Sequence, residues 1–423
     1  MAYRLPFASP GGYEPDRLFA FYGALHSSGA STFYDVDSGL QVIWRHADVS
    51  DVLLGQLPGV SNANSLDPLT PISGFLANPA TWRHLAYLLR NVTPATANAA
   101  GSAHESVRRV VIDRNDQRSI NPVMTRQHYA GLVQNQVDEA AAALGRDLAD
   151  GPTDFARAFA GPLAARVIGR ILGFPAETAR AIQGWAHGQA SLLGRKMRGK
   201  ELAIAVAALA DLSRACLELI GQRTASPDDD LATLLAQPGP GQELPRKRAA
   251  SAAMNLIAAG YITTYGTLLN SLAYLLSPAG REHWNALADP GNLAGLTSEM
   301  LRRETALVGW KRKARQPVVL HDGSVIPSGR QILALIGAGN CDPGVFADPQ
   351  KITPSRKVSG KDLLTFGIGP HSCVGSGLAT LELELSLPTL RERFPGLRLA
   401  SAPSGYAPDN LFRIPDALPV TTG

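Results

Sequence analysis

The stretch "FGIGPHSCVG", residues 366–375, decides how this chain is interpreted. Three glycines and a proline within it predict an irregular loop, because both residues disfavour the interiors of helices and strands. The chain has 3 cysteines, Cys216, Cys341 and Cys373, whose wide spacing is typical neither of a disulfide framework nor of a CxxC zinc site. A reducing, cytoplasmic setting is therefore expected. The cysteine inside the loop, Cys373, is the candidate for chemistry.

Three chemical roles can be considered for this loop. A phosphate-binding loop would need GxGxxG, but Ser372 occupies the third glycine position. His371 and Cys373 could form a nucleophile pair, although no third group that would orient the histidine is evident. The third role is a thiolate ligand to haem iron, because glycines let the backbone lie close to a flat macrocycle. A helix predicted to begin near Val374 would lower the pKa of the thiol and favour the thiolate.

The loop resembles the FGxGxHxCxG signature of the cytochromes P450 and matches it at every specified position. Further motifs resemble those of the same family, in the expected order and across nearly the whole chain. They are "AAGYITTYG" (258–266), similar to the oxygen-groove sequence AGx[D/E]TT; "EMLR" (299–302), similar to ExxR; "NCDPGVFADPQKI" (340–352), similar to NRDPxxFxDPxxF; and "NLFRIPDALPV" (410–420), similar to the closing strand and last substrate-contact loop.

The resemblance implies a mainly α fold with small β-sheets, shaped as a triangular prism, with haem between a central helix and the cysteine loop. We expect residues 1–423 to form one such domain. Sequence patterns agree: 31–55 predicts a strand pair and a helix, 58–103 a long loop with helical pieces, 104–236 helices, and 317–336 short strands. The charge-free stretch 249–276 is as long as a membrane span. Its interrupting polar residues favour a buried helix instead, from about 246 to Ser277.

The resemblance also implies which residues bind haem b. Cys373 would ligate the iron, and Glu299 and Arg302 would form a buried ion pair that stabilises the haem-binding region. In this family the two haem propionates are bound by HxxxR, by an arginine after the ExxR helix and by the histidine of the cysteine loop. The matching cofactor-binding residues are His104, Arg108, Arg312 and His371, together with Phe366, Gly367 and Gly375 of the loop.

The implied activity is that of a monooxygenase that oxidises a small organic substrate with O2 and electrons from ferredoxin and ferredoxin reductase. In this family the thiolate donates electron density to the iron and favours cleavage of the O–O bond. Protons usually reach the oxygen through an acid and an alcohol side by side on the central helix. Here Thr263 occupies the alcohol position, and Thr263, Thr264 and Gly260 are the implied catalytic residues. The acid position is Ile262, which cannot relay a proton.

The isoleucine at 262 leaves several alternatives open. Protons could arrive through ordered water or a polar group of the substrate. The enzyme could instead catalyse oxidative coupling, desaturation or nitrogen chemistry, or use peroxide directly. An alternative from another class is a catalytically silent haem-binding or sensor protein. Because Thr263 and Thr264 are retained, oxygen-dependent oxidation is favoured.

The substrate region is less well specified. The basic stretch "GRKMRGK" (194–200) lies where the family has its access loop. It could be a solvated loop, or it could attract an anionic substrate or a carrier protein with a tethered substrate. Trp310 could equally be a core aromatic. The substrate contacts implied by family position are Tyr261, Ile262, Leu307, Val308, Trp310, Leu411 and Phe412, together with the 58–103 loop.

The composition limits the classes of partner that are expected. The net charge of +4, from 40 basic and 36 acidic residues, is too small to indicate nucleic-acid binding. The N-terminal residues show no apolar leader or anchor, so no membrane association is expected. The chain resembles the soluble bacterial members, and we expect a cytoplasmic monomer. Its Ala-, Arg- and Gly-rich composition is typical of a high-GC bacterium, which suggests specialised metabolism such as antibiotic biosynthesis.

Overall fold

The computed structural model describes residues 4–8, 11–63, 65–99, 101–113, 115–122 and 125–422. Most of these residues are helical, which confirms the mainly α class with small sheets. Short 3₁₀ turns and one π-helical turn (Ala156–Ala160) connect or extend the helices. The α-helices are α1 (Pro15–Ser27), α2 (His46–Leu54), α3 (Ile72–Leu76), α4 (Pro79–Asn91), α5 (Gly101–Val111), α6 (Thr125–Ala149), α7 (Gly161–Leu172), α8 (Ala179–Gly194), α9 (Gly199–Ala225), α10 (Leu231–Ala236), α11 (Arg246–Leu276), α12 (Arg281–Ala286), α13 (Leu293–Arg303), α14 (Ile336–Gly339) and α15 (Ser376–Arg393).

The strands are short and form four small sheets among the described residues. The five-stranded sheet has the order β1-β2-β8-β5-β3, with β2 and β8 parallel and the other neighbours antiparallel. Its register pairs Arg312 with Ile332, which fixes the position of Arg312 on β5. The strands are β1 (Thr32–Asp35), β2 (Leu40–Ile43), β3 (Val60–Ser61), β4 (Thr153–Asp154), β5 (Trp310–Ala314), β6 (Val318–Val319), β7 (Val325–Ile326), β8 (Gln331–Ala334), β9 (Arg398–Leu399), β10 (Ser404–Tyr406), β11 (Pro415–Ala417) and β12 (Pro419–Thr421).

Helix α11 is the central element, and it follows the charge-free stretch closely. It begins after Pro245, which occupies the N-cap, and it ends at Leu276, two residues before Pro278. It packs against α7, α8, α9 and α15, so most of its side chains are buried. Burial on several sides explains why the stretch lacks charge. Within the described ranges, we find no helix whose length and hydropathy would allow it to cross a membrane.

The 58–103 region contains more helix than a long loop with helical pieces suggests. Helix α4 has a proline in its first turn and buries Thr81, His84 and Leu88. The opposite face exposes Trp82 and Leu89, which weakens the apolar periodicity in the sequence and hides the helix. Positions 64 and 100, which the loop prediction also covers, lie outside the described residues.

Candidate active site

The cysteine loop has a shape that its glycines make possible. Gly367 and Gly369 have φ angles of 61° and 77°, in the left-handed region that favours glycine. The backbone N–H of Cys373 donates to the carbonyl oxygen of Phe366 at 2.7 Å, which closes the loop. Helix α15 then begins at Ser376, two residues later than predicted, with Gly375 at its N-cap. Cys373 is therefore presented from a tight turn just before the helix.

The side chain of Cys373 is exposed, although many protein atoms surround it. Burial raises the pKa of the thiol, while the backbone N–H of Gly375 and the charge of Arg108 act in the opposite direction. The prediction that the helix N-terminus and nearby N–H groups lower the pKa of the thiol was therefore wrong in its net direction. The predicted contacts exist, but desolvation outweighs them. A bound metal ion would supply the missing stabilisation of the thiolate.

Four nitrogen-bearing side chains cluster beside the sulfur. Arg108, on α5, donates from Nη1 to the carbonyl oxygen of Ser372 at 2.8 Å and from Nη2 to its hydroxyl at 2.9 Å. The rings of His104 and His371 lie 4.0 Å apart, centroid to centroid. Arg312 is only 4% exposed and donates to the carbonyl oxygen of Lys311 at 3.0 Å. The structure thus brings the predicted propionate-binding residues together.

The electrostatics of this cluster call for an anion. Burial lowers the pKa of Arg312 to about 10. Burial, together with His104, Arg312 and Arg108, lowers the pKa of His371 to about 4. Over the described ranges, none of these four side chains forms an ion pair with a carboxylate. Buried cations need anionic partners, and the two carboxylates of haem would provide them. The donor set therefore fits haem.

Asn62 belongs to this site and could not be found from the sequence. Its Nδ2 lies 3.1 Å from each ring nitrogen of His371 and also hydrogen-bonds the carbonyl oxygen of Ala97. The hydroxyl of Ser65 donates to the same carbonyl oxygen at 2.7 Å. The 58–103 region is thereby tied to the cysteine loop. An asparagine in a long polar region gives no sequence signal for such a contact.

Glu299 and Arg302 form a bidentate ion pair with distances of 2.7 and 2.9 Å, and both side chains are 0% exposed. Arg302 also donates to three backbone carbonyl oxygens, those of residues 340, 349 and 351. Arg356 donates to Glu299 at 3.2 Å, and the backbone N–H of Thr353 also donates to Glu299, at 2.8 Å. This network joins α13 to the segment that precedes the cysteine loop.

One face of α11 is partly exposed. Ala259 is exposed and Thr263, four residues later, is half-buried, although most of their neighbours on the helix are buried. The hydroxyl of Thr263 donates to the carbonyl oxygen of Ala259 at 2.7 Å. Gly260 allows a close helix contact, because a Cβ there would lie 2.8 Å from Ile168. Tyr261 and Ile262 are buried, and the hydroxyl of Tyr261 lies 3.1 Å from Nε2 of His187. Their substrate contacts stay predictions.

A buried acid, Glu382, lies beside this face. The hydroxyl of Thr264 donates to Oε2 of Glu382, on α15, at 3.2 Å. Burial raises the pKa of this carboxyl to about 8, against a smaller opposite effect of the hydrogen bond from Thr264. The sequence contains a signal for this buried position, because Glu382 is four residues after the buried Leu378 and lies between Leu381 and Leu383.

The remaining predicted substrate contacts lie where β5 approaches the end of the chain. Leu307 and Phe412 form an isolated β-bridge, and the N–H of Val308 donates to the carbonyl oxygen of Leu411 at 2.8 Å. Leu411 is fully buried. Trp310 packs partly against the apolar core of the five-stranded sheet. The structure brings these residues together, and their contact with a substrate stays a prediction.

The basic stretch 194–200 is partly neutralised. Arg195 pairs with Glu201 at 2.6 Å, and Lys196 donates to the carbonyl oxygen of Asp37. Met197 is buried, and its N–H donates to the hydroxyl of Thr70 at 2.9 Å. Much of this stretch therefore serves to attach the segment between α8 and α9.

Comparisons with known proteins identify the family that this chain resembles. The family described as "Cytochrome P450" matches residues 293–397, which include the Glu299–Arg302 pair and the cysteine loop. A biotin biosynthesis cytochrome P450 of Bacillus subtilis (strain 168) is 34% identical over 271 residues, covering 62% of this chain and 66% of that relative. A steroid C26-monooxygenase of Mycolicibacterium smegmatis is 30% identical over 303 residues, covering 69% of this chain and 74% of the relative.

A similar solved structure is that of P450BioI in complex with hexadec-9Z-enoic acid ligated acyl carrier protein. It superposes with a TM-score of 0.79 at 24% identity, covering 96% of this chain and 98% of the other. At this identity the likeness shows the fold alone.

Proposed function

This chain belongs to the cytochrome P450 family of oxidoreductases, and from that premise we propose that it is a haem-thiolate monooxygenase acting on a small organic molecule. One domain would contain the whole site, with Cys373 as the ligand of haem b. The observation that carries the proposal is the accessible sulfur of Cys373 beside a cluster of cationic and imidazole groups that, among the described residues, form no ion pair with a carboxylate. When bound, the haem supplies the activation of oxygen.

The chain's own residues have distinct roles in this proposal. Arg108, Arg312, His104 and His371 would hold the propionates, because they lie together and, among the described residues, none of them forms an ion pair with a carboxylate. The glycines of the loop would let the backbone approach the macrocycle. The hydroxyl of Thr263 donates its proton to the carbonyl oxygen of Ala259. The lone pairs of its oxygen can therefore accept a hydrogen bond from a bound molecule.

The buried acid favours oxygen-dependent oxidation over the alternatives raised by Ile262. Glu382 is protonated near neutral pH, and Thr264 connects its Oε2 to the same turn of α11 that carries Thr263. A proton-holding group is therefore present although position 262 is apolar. We retain oxidative coupling, desaturation, nitrogen chemistry and peroxide-driven oxidation as outcomes that a product analysis would reveal, and a silent haem-binding protein as the rival class.

The proposed partners follow from the family. Electrons would come from a ferredoxin and its reductase, and the enzyme would act as a cytoplasmic monomer in specialised metabolism, such as antibiotic biosynthesis. A carrier-bound substrate is a second candidate, because the structure of P450BioI contains an acyl carrier protein. The basic stretch 194–200 gives it limited support, since Arg195 and Lys196 already have partners.

A reduced, CO-bound spectrum of the purified protein tests the proposal. We expect a thiolate-type Soret band that is lost in Cys373→Ala and retained in Cys216→Ala, a control in which the thiol is buried far from the site in sequence. Turnover with ferredoxin, reductase and NADPH should then exceed turnover with peroxide. Protein that stays colourless with haem precursor supplied, or a thiolate-type band in Cys373→Ala, would overturn the proposal.

A further inference from the structure

We infer that Gln189, Asn255 and Thr96 form a polar anchor for a neutral hydrogen-bonding group at one end of an otherwise apolar substrate. This inference deepens the proposed function and rests on it, because the oxidised end of the substrate would lie near Thr263. The three residues come from α8, from α11 and from the segment between α4 and α5.

Asn255 shares the partly exposed face of α11 with Ala259 and Thr263. Each of these residues follows the previous one by four positions, and residues at that spacing lie on one face of a helix. Asn255 and Thr263 are separated by eight residues, which corresponds to about 12 Å along the helix axis. Asn255 is half-buried, as is Thr263, whereas the nearby Ile257 and Ile262 are buried. This partly exposed face therefore extends from Thr263 to Asn255.

A chain of hydrogen bonds joins the three side chains. Nδ2 of Asn255 donates to the hydroxyl oxygen of Thr96 at 2.7 Å, and Nε2 of Gln189 donates to Oδ1 of Asn255 at 3.3 Å. These two hydrogen bonds hold the two amide groups in fixed relative orientations. They also connect the segment after α4 to α8 across the central helix, so the anchor lies where three elements meet.

One polar atom in this hydrogen-bonded group of three side chains has no partner among the described residues. Oε1 of Gln189 is buried and, over the described ranges, accepts no hydrogen bond, and the side chain is only 7% exposed. A buried carbonyl oxygen without a donor is costly, so native proteins seldom retain one without a reason. A hydroxyl or amide N–H of a bound molecule would satisfy it.

The anchor suits a neutral group better than a charged one. In the part of the chain that the structure describes, the recorded hydrogen bonds and ion pairs of these three residues involve no charged side chain. A substrate carboxylate would therefore be desolvated there without a cation, which is strongly unfavourable. Between Asn255 and Thr263 the same face presents Ala259, so the middle of the substrate would meet apolar surface. The expected substrate has an apolar body and a hydroxyl or amide head.

The test uses the haem-loaded protein and three probes that differ only in the head group, decan-1-ol, decanamide and decanoate. Binding is measured by titration calorimetry. We expect the alcohol and the amide to bind about tenfold more tightly than the carboxylate, a difference of about 1.4 kcal/mol. In Gln189→Leu this preference should fall about fivefold, because the acceptor is removed. Gln222→Leu is the control, since Gln222 is exposed on α9 and its side chain donates to Glu218.

A second variant covers the case in which Gln189→Leu does not fold. Gln189→Glu keeps the size of the side chain and an acceptor oxygen, so the preference for the alcohol over decanoate should persist or increase. Equal or tighter binding of decanoate, undetectable binding of all three probes, or an unchanged preference in Gln189→Leu would overturn the inference. The CO-bound spectrum of the same preparations tests the proposed function separately, so the two failures can be distinguished.

Discussion

The hydroxyl of Thr264 donates to the buried carboxyl group of Glu382 at 3.2 Å, which joins the central helix to the helix that follows the cysteine loop. Because Ile262 is apolar, this carboxyl group is the acid that the structure offers next to the Thr263 turn. Its protonation state therefore bears on stability and, in the proposed function, on the supply of protons.

We expect Glu382 to make the free energy of unfolding fall as pH rises. Its pKa is about 8 in the folded chain against an ordinary 4.5, so the folded state binds the extra proton between these values. Stability is then greatest below pH 4.5 for this group and is lost progressively up to about pH 8, with a slope of at most about 1.4 kcal/mol per pH unit. Glu382→Gln should flatten this dependence in denaturant unfolding at pH 5, 6.5 and 8. Glu384→Gln, which alters an ion pair with Arg126, is the control. An equal pH slope in wild type and Glu382→Gln would contradict the assignment.

The Glu299–Arg302 pair should be far more important for stability than an exposed pair of the same spacing. Arg302→Met leaves Glu299 buried with its main partner lost, so we expect a cost of about 3 to 5 kcal/mol. Lys351 and Asp348 form a matched pair that is 74% and 70% exposed, and Lys351→Met should cost about 0.5 kcal/mol or less. Urea unfolding of both variants measures the difference, and similar costs would show that burial of the first pair is unimportant.

Arg312 should have opposite effects on the haem-free and haem-loaded protein. Without an anion its guanidinium is buried and desolvated, so Arg312→Met should stabilise haem-free protein by about 1 kcal/mol. The same variant should release haem about tenfold faster to an excess of a haem-scavenging protein, because a propionate loses its partner. Lys313→Met is the control, since successive side chains of β5 point to opposite faces. Haem release that is unchanged in Arg312→Met would remove Arg312 from the propionate set.

Gly194 should be intolerant of alanine, because a Cβ there would lie 1.9 Å from Oδ1 of Asp409. That oxygen accepts the N–H groups of Leu411 and Phe412 at 2.8 and 2.9 Å, so its displacement would move two predicted substrate contacts. We expect Gly194→Ala to cost about 2 kcal/mol and to weaken binding of the decan-1-ol probe.

Gly184, on the same helix as Gly194, is the control for that substitution. Nothing lies within 4 Å of a Cβ at this position, so Gly184→Ala should stabilise the helix by about 0.5 to 1 kcal/mol. Thermal unfolding and calorimetry measure both variants. Equal stability of the two alanine variants would show that the Asp409 side chain can move away from the new Cβ without a measurable energetic cost.

Local features of the fold could be predicted from the sequence. The central helix is marked by the charge-free stretch 249–276 and by Pro245 and Pro278 outside its two ends, and the cysteine loop is marked by its glycines. The strand pair and helix in 31–55 were also predicted correctly, because turn residues separate alternating segments. In each case the decisive interactions are close in sequence.

Features that depend on distant contacts could not be predicted. The pKa of Cys373 is raised because desolvation depends on the packing around the loop, whereas the sequence shows only the nearby helix start. Asn62 and Gln189 reach His371 and Asn255 from other parts of the chain, and nothing in their neighbours indicates these contacts. Glu382 could have been found, because its spacing from Leu378 places it on a buried helix face.

Asn62 has a mechanical consequence for the molecule. A single amide group bonds the carbonyl oxygen of Ala97 and contacts the ring of His371, two residues before the sulfur. Thr96, adjacent to Ala97, bonds the central helix through Asn255. A bound molecule that displaces Thr96 and Ala97 would therefore also displace Asn62 and the turn that carries Cys373. Binding near Asn255 would then change the position of the sulfur without any bending of α11.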